Sequence, residues 1–171
     1  MIEVAPYNSE WPAQFEAEKL VLQAALAPWL VGEIQHIGST AVVGLSAKPV
    51  IDIMAPVASL HESKAAIPEA LAVGYVHHPY RAEVMHWFCK PSPTVRTHHL
   101  HLVPVGSQLW VERLAFRDAL RESALLCSEY GELKLHLARL HRADREAYTE
   151  AKGPFVQRVV SISAARHNNA T

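Results

Sequence analysis

The chain of 171 residues has two cysteines, no strong excess of either charge and no long apolar run. Each shortage excludes a class of protein. Cys89 and Cys127 make no disulfide framework, so a reducing cytoplasm is the expected compartment. They are not in Cys-x-x-Cys spacing, the usual mark of thiol redox chemistry. With 16 basic and 17 acidic side chains the formal charge is −1. A dedicated nucleic-acid binder carries a strongly basic field, so no such partner is expected. No stretch approaches the roughly 18 apolar residues of a membrane span. The opening MIEVAPYNSEW has neither the basic nor the apolar region of a signal peptide, so neither membrane nor export is expected. Half of the residues are apolar and 19% charged, which is material for a core and excludes intrinsic disorder. Histidine is the residue in plentiful supply, with 11 copies.

The length fits a single domain, 1–171. Its pattern is α+β: a mixed β-sheet with an N-terminal helix, in about 1–106, then a helical segment, about 107–166, and a polar tail, 167–171. Asn8 and Ser9 are caps for a helix that starts at Glu10-Trp11-Pro12, buries Trp11, Phe15, Leu22 and Leu26, and stops at Pro28. Strands are expected at Glu33 to Ile37, Val50 to Met54, Tyr75 to His78, Met85 to Cys89 and Val95 to Val105. Ser59 to Val73 reads as one helix blemished by Pro68, and Pro91-Ser92-Pro93 as a turn. The C-terminal third reads as three or four helices broken near Ser128-Gly131, Ala143 and Gly153-Pro154. The four tryptophans, Trp11, Trp29, Trp87 and Trp110, are assigned to the core.

Three patterns carry chemistry. Gly38-Ser39-Thr40 follows a strand, where glycine permits a sharp turn and the hydroxyls and N–H groups suit an anion such as phosphate; a capped turn without ligand is the plainer reading. Asp52 interrupts an apolar strand, and a buried carboxylate needs a cation, a metal or donors. Lys48 stands just outside that strand. In Arg96-Thr97-His98-His99-Leu100-His101, strand alternation puts His99 and His101 on one face and His98 on the other. Two such imidazoles can share a metal, or serve as buried hydrogen-bond partners. His86 is a further candidate for that group; His61, His77 and His78 read as loop or surface residues, and His36 as neighbour of the turn or as packing. Arg113, Arg117 and Arg121 recur every fourth residue along one helix face. Arg145, Tyr148 and Lys152 share another.

The segments HIGSTAVVGLSAKPVIDIM, RTHHLHLV, FRDAL and DREAYTEAKGPF, in that order, resemble the GrpB family of the nucleotidyltransferase-like superfamily; Val43 stands where that family usually has proline. The resemblance implies a nucleotidyltransferase-like fold. It maps the superfamily's glycine-serine turn onto Gly38 and Ser39 and the first acid of its acid-x-acid pair onto Asp52. In such enzymes the turn holds nucleotide phosphates and the acids hold two Mg²⁺ ions. The second acid is missing, because Met54 stands in its place and cannot serve a hard ion. The resemblance also raises Arg117, Tyr148 and Lys152 as ligand contacts. The expectation is a small-molecule nucleotide partner, a nucleoside triphosphate, held by Gly38, Ser39, Thr40, Lys48, Arg117, Tyr148 and Lys152. Asp52 and Ser39 are its catalytic residues. A divalent metal, Mg²⁺ or Mn²⁺ or alternatively Zn²⁺, sits on Asp52, His99 and His101. The reaction implied is nucleotidyl transfer to a small acceptor. The alternatives are metal-dependent hydrolysis of a phosphate ester and a non-catalytic nucleotide or coenzyme module.

Overall fold

Trp11, Phe15, Leu22 and Leu26 recur at helical spacing, and Trp11–Leu26 forms α1 with all four buried. Asn8 Oδ1 accepts the Glu10 N–H ahead of it. The structure, a computed structural model, describes residues 2–168. Its five strands are β1 (Gln35–Ile37), β2 (Ile51–Val57), β3 (Val76–His77), β4 (His86–Pro91) and β5 (Arg96–Pro104), in the sheet order β1-β2-β5-β4-β3. β2 runs parallel to β5, and the other neighbouring pairs are antiparallel. A parallel pair needs a crossover; here it runs through α2 (Ile67–Ala72), β3 and β4. The mixed α+β architecture expected from the pattern is the one observed.

Alternation divides the sheet into two faces. Ile51, Ile53, Ala55, Val57, Phe88, Leu100 and Leu102 pack with α1 in one apolar cluster. Ile37, Met54, Trp87, Cys89 and Val103 pack with Leu109 of α3 (Gln108–Glu122) on the other. Burying one such side chain contributes about 1.5–3 kcal/mol, so both faces hold the sheet. A third cluster joins Val42 and Leu45, beyond the glycine turn, to the helical third: Leu120 of α3, Tyr130 of α4 (Ala124–Leu140), and Phe155 and Val159 of α6 (Gly153–Asn168). α5 is Arg145–Ala151. No described helix is long and apolar enough to cross a membrane.

Several local expectations are corrected. Ser59 to Val73 is not one helix but a 3-10 turn, Glu62–Ala66, followed by α2. Pro68 opens α2, where its missing N–H costs nothing. The helix break lies at Ser123, not at Ser128-Gly131, because the Ser123 hydroxyl caps α4 by accepting the Leu126 N–H. Gly131 lies inside α4. The tail is helical as far as Asn168, and 169–171 lie outside the described residues. Trp11 and Trp87 are buried, whereas Trp29 and Trp110 are only partly so.

Candidate functional site

The parallel pairing of β2 with β5 puts Asp52 beside His99 and Met54 beside His101. Alternation turns these side chains to the face covered by α3. There His99 Nδ1 lies 2.9 Å from Asp52 Oδ1, and His101 Nε2 lies 3.5 Å from the same oxygen. The first is a good hydrogen bond and the second is too long for one. The candidate ligand atoms of the three residues lie within 4.8 Å of one another. Asp52 and His99 keep 27% and 21% of their side-chain surface open, so the group is reachable from outside. Burial alone would push the Asp52 carboxyl up, but the imidazoles of His101 and His99 outweigh it and hold it far below the usual carboxylate range. Burial brings His101 down to about 4, so its ring is neutral at pH 7.

Gly38 frames this group. Its φ of 73° and ψ of −173° belong to a region essentially reserved for glycine. A Cβ there would stand 2.6 Å from Asp52 Oδ2. The turn leads into a single 3-10 turn, Ser39–Ala41, and not into a helix N-terminus.

Asp52 opens into a cleft of about 770 Å³ whose walls also carry Ser39, Lys48, Arg96, Arg113, Lys134, Arg145 and Lys152. These six cations face three acids on the same walls: Asp52, Glu146 and Glu150. Lys48 and Lys152 both lie over the Tyr148 ring, 4.6 and 4.3 Å from its centroid. Burial, then neighbouring cations, lowers Lys152 to about 8 and Lys134 to about 7; Lys48 is lowered for the same reasons. A larger cavity, about 830 Å³, lies beyond Thr40 between α1 and α4. Its charged lining is Glu16, Arg121 and Glu132, with no lysine, so the cationic groups are concentrated in the cleft.

The expected site residues separate into two sets. Gly38, Ser39, Lys48, Asp52, His99, His101, Tyr148 and Lys152 surround the cleft or frame its floor. Thr40 borders the cleft, but its hydroxyl is used: it donates to the Val50 carbonyl and therefore accepts from His36 Nε2 at 2.9 Å. His36 is packing, stacked on Phe15 at 4.6 Å and lowered to about 4 by burial. Arg117 is turned to β1, donating to Gln35 Oε1 and the His36 carbonyl, and pairs with Asp118. Arg121 likewise donates to the Ala41 carbonyl. Of the three stripe arginines only Arg113 lines the cleft, because residues four apart stand about 6 Å apart along the axis. Tyr148 is 1% exposed and supports two ammonium groups rather than offering a stacking face. His86 belongs to the opposite face and bonds the Leu60 carbonyl. The wall position expected of it is taken by Trp87, 5.0 Å from the His99 ring. His78 is exposed, as expected, and stands at the border of the cleft. Arg96 opens the histidine strand but was given no role, and Lys134 was carried by no motif; Lys134 is a buried cation on a helix, 3% exposed, donating to the Ser46 carbonyl.

A family model described as GrpB protein matches residues 1–161. A UPF0157 protein of Pseudomonas aeruginosa is 38% identical over 97% of the chain and 70% of its own length. The glutamate-rich protein GrpB of Alkalihalophilus pseudofirmus is 33% identical over 91% of each. Among solved structures, conserved protein GrpB from Enterococcus faecalis superposes with a TM-score of 0.87 at 30% identity, covering 96% of this chain and 99% of that one. Cid1 poly(U) polymerase, solved with MgGTP bound, superposes with a TM-score of 0.60 at 15% identity over 86% of this chain and 50% of its own, a likeness of fold.

Proposed function

The chain belongs to the GrpB family and has a nucleotidyltransferase-like fold, and we propose that it binds a nucleoside triphosphate in the cationic cleft and transfers a nucleotidyl group to a small acceptor. The observation that carries this reading is the wall of six Lys and Arg side chains converging on an accessible carboxylate beside a glycine-serine turn. Buried, clustered ammonium groups repel one another; a polyanion relieves that repulsion, which makes a triphosphate a fitting ligand. Lys48, Lys134, Lys152 and Arg113 neutralise its charge, and the Ser39 hydroxyl donates to a phosphate oxygen. Tyr148 holds Lys48 and Lys152 in place. Asp52, with His99 and His101, would hold a divalent ion, and its carboxylate and imidazole donors fit one. Such an ion supplies neutralisation of the phosphoryl oxygens and orientation of the leaving group. The free thiols of Cys89 and Cys127 suit a cytoplasmic site of action.

Calorimetry with each nucleoside triphosphate, in the presence of Mg²⁺, Mn²⁺ or Zn²⁺, tests binding; release of pyrophosphate with candidate acceptors tests transfer. Absence of triphosphate binding under all three metals ends the reading. Met54, fully buried where the superfamily's second acid belongs, favours a second reading, hydrolysis of a phosphate ester. Release of inorganic phosphate from a monoester, without pyrophosphate from any triphosphate, would select it.

A further inference from the structure

We propose that Asp52, His99 and His101 form a single-ion site for a nitrogen-preferring divalent metal of the Zn²⁺ class, in place of a pair of Mg²⁺ ions. The inference deepens the reading of the cleft given above and rests on it for its role; its location rests on geometry alone.

The first observation is the donor set. Zn²⁺ accepts imidazole nitrogen and carboxylate oxygen together, whereas Mg²⁺ demands oxygen and near-ideal octahedral geometry. One carboxylate oxygen and two imidazoles are therefore a zinc-like set and a poor magnesium one. The second is spacing. Metal bonds of about 2.0–2.2 Å in a tetrahedral shell put neighbouring donors about 3.3–3.5 Å apart. Asp52 Oδ1 is 2.9 Å from His99 Nδ1 and 3.5 Å from His101 Nε2, so the carboxylate already stands near this spacing from both imidazoles, whose ligand nitrogens lie within 4.8 Å of each other and close on the ion by a small ring adjustment.

The third observation is unmet polar capacity. Among the described residues, the buried side-chain nitrogens and oxygens without a hydrogen-bond partner are His99 Nε2 and His101 Nε2. An orphaned buried polar atom is costly and calls for an explanation. His101 is held so that this atom faces Asp52, because its other nitrogen, Nδ1, sits against Met85 Sδ at 3.4 Å. A cation placed beside Asp52 Oδ1 satisfies His101 Nε2 directly, while His99 meets it through Nδ1, so the orphan that the ion accounts for is His101 Nε2.

The donors brought together are those of one ion. Gly38 lies over Asp52 Oδ2, so Oδ1 is the oxygen turned to the imidazoles. Met54, the residue in register with His101, is fully buried in an apolar cluster with Ile37 and Val103. That wall supplies no oxygen for a second hard ion. The open side of Asp52 and His99 faces the cationic cleft, leaving a further position on the ion for a phosphoryl oxygen or water.

The test uses the full chain without a polyhistidine tag, stripped with chelator and equilibrated with Zn²⁺, Mg²⁺ or Co²⁺. The expected result is one Zn²⁺ per chain by elemental analysis, no displacement by excess Mg²⁺, and a visible Co²⁺ spectrum of low coordination number. Asp52→Asn and His99→Ala should each weaken Zn²⁺ binding by more than the roughly 10–100-fold typical of losing only a supporting partner. His98→Ala, on the opposite face, should leave stoichiometry unchanged, which separates this site from loose binding by the other histidines. Circular dichroism confirms that each variant is folded; the Co²⁺ spectrum tests the native chain with no variant at all. Two ions per chain, Mg²⁺ binding as tight as Zn²⁺, no Zn²⁺ binding, or Zn²⁺ binding insensitive to Asp52→Asn overturns the inference. The two ideas fail separately. Triphosphate binding without a Zn²⁺ site removes this one and spares the nucleotide reading; a Zn²⁺ site without triphosphate binding does the reverse.

Discussion

Replacing Gly38 by alanine should strain the backbone and push the Asp52 carboxylate out of place in a single step. The φ of 73° and ψ of −173° suit glycine alone, and forcing a side chain there costs about 1–3 kcal/mol. The new Cβ would also stand 2.6 Å from Asp52 Oδ2 and 3.0 Å from Asp52 Cβ. Asp52 has little freedom to retreat. It lies on β2, which is paired on both sides, and its other oxygen is bonded to His99 at 2.9 Å. Relief therefore breaks the Asp52–His99 contact. For a chain of this size about 1 kcal/mol shifts Tm by roughly 2–4 °C, so a fall of about 2–12 °C is expected. Metal and triphosphate binding should weaken in the same variant. Gly44→Ala is the control: Gly44 has φ of 81°, but a Cβ there meets nothing within 4 Å. It carries a backbone penalty of about 1–2 kcal/mol and leaves ligand binding alone. Thermal unfolding and metal titration of the two variants separate strain from contact. A Gly38→Ala protein with wild-type Tm and wild-type metal affinity would refute the reasoning.

Stability should rise with pH because of Lys134. Its pKa is about 7 in the fold against an ordinary 10.5, so between those values the unfolded chain holds a proton that the native one has shed. Each pH unit across that window adds up to about 1.4 kcal/mol, Lys152 at about 8 contributes in the same direction, and Lys134→Met should flatten the slope in urea titrations at pH 7 and 9. Triphosphate affinity should move the opposite way, falling between pH 7 and 9 as the two ammonium groups lose their protons; affinity that is flat or rising over that range would remove them from the phosphate site. Arg117→Ala should cost about 1–3 kcal/mol of stability, measured by chemical denaturation, because it leaves Gln35 and the His36 carbonyl without their donor. Its triphosphate affinity should match the wild type, and a selective loss of binding at unchanged stability would return Arg117 to the ligand.

Local pattern reached the strands, the two faces of β5 and the oddity of Asp52, because alternation and an isolated charge are readable from neighbours in sequence. It also placed α1, whose apolar spacing and first-turn proline agree. It failed where position depends on distant partners. The stripe Arg113, Arg117 and Arg121 reads as one face, yet only the tertiary position of α3 sends Arg113 to the cleft and the others to backbone carbonyls. His86 differs from Trp87 by one residue, and in a strand one residue is a change of face. At the α3–α4 junction a capping serine outweighed a glycine, since Gly131 tolerates a helix interior whereas the Ser123 hydroxyl satisfies an otherwise free N–H.

The cationic wall was the least visible part, and the reason is physical. Lys48 precedes β2, Lys134 sits in mid-α4 and Lys152 follows α5, so no window of sequence contains them together. Lys48 and Lys152 were expected at the ligand one by one, but Lys134 by itself looks like a solvated surface lysine. Lys48 and Lys152 converge on Tyr148, and Lys134 stands over Tyr130 on the same walls around Asp52; the depressed values of Lys134 and Lys152 register their burial first and this concentration of like charge second. A packed core gains nothing from that arrangement, and the three acids on the walls are too few to neutralise it. The proposed anionic ligand would recover the cost on binding. The lysines that packing alone leaves unexplained are thus the strongest support for the proposed anionic ligand.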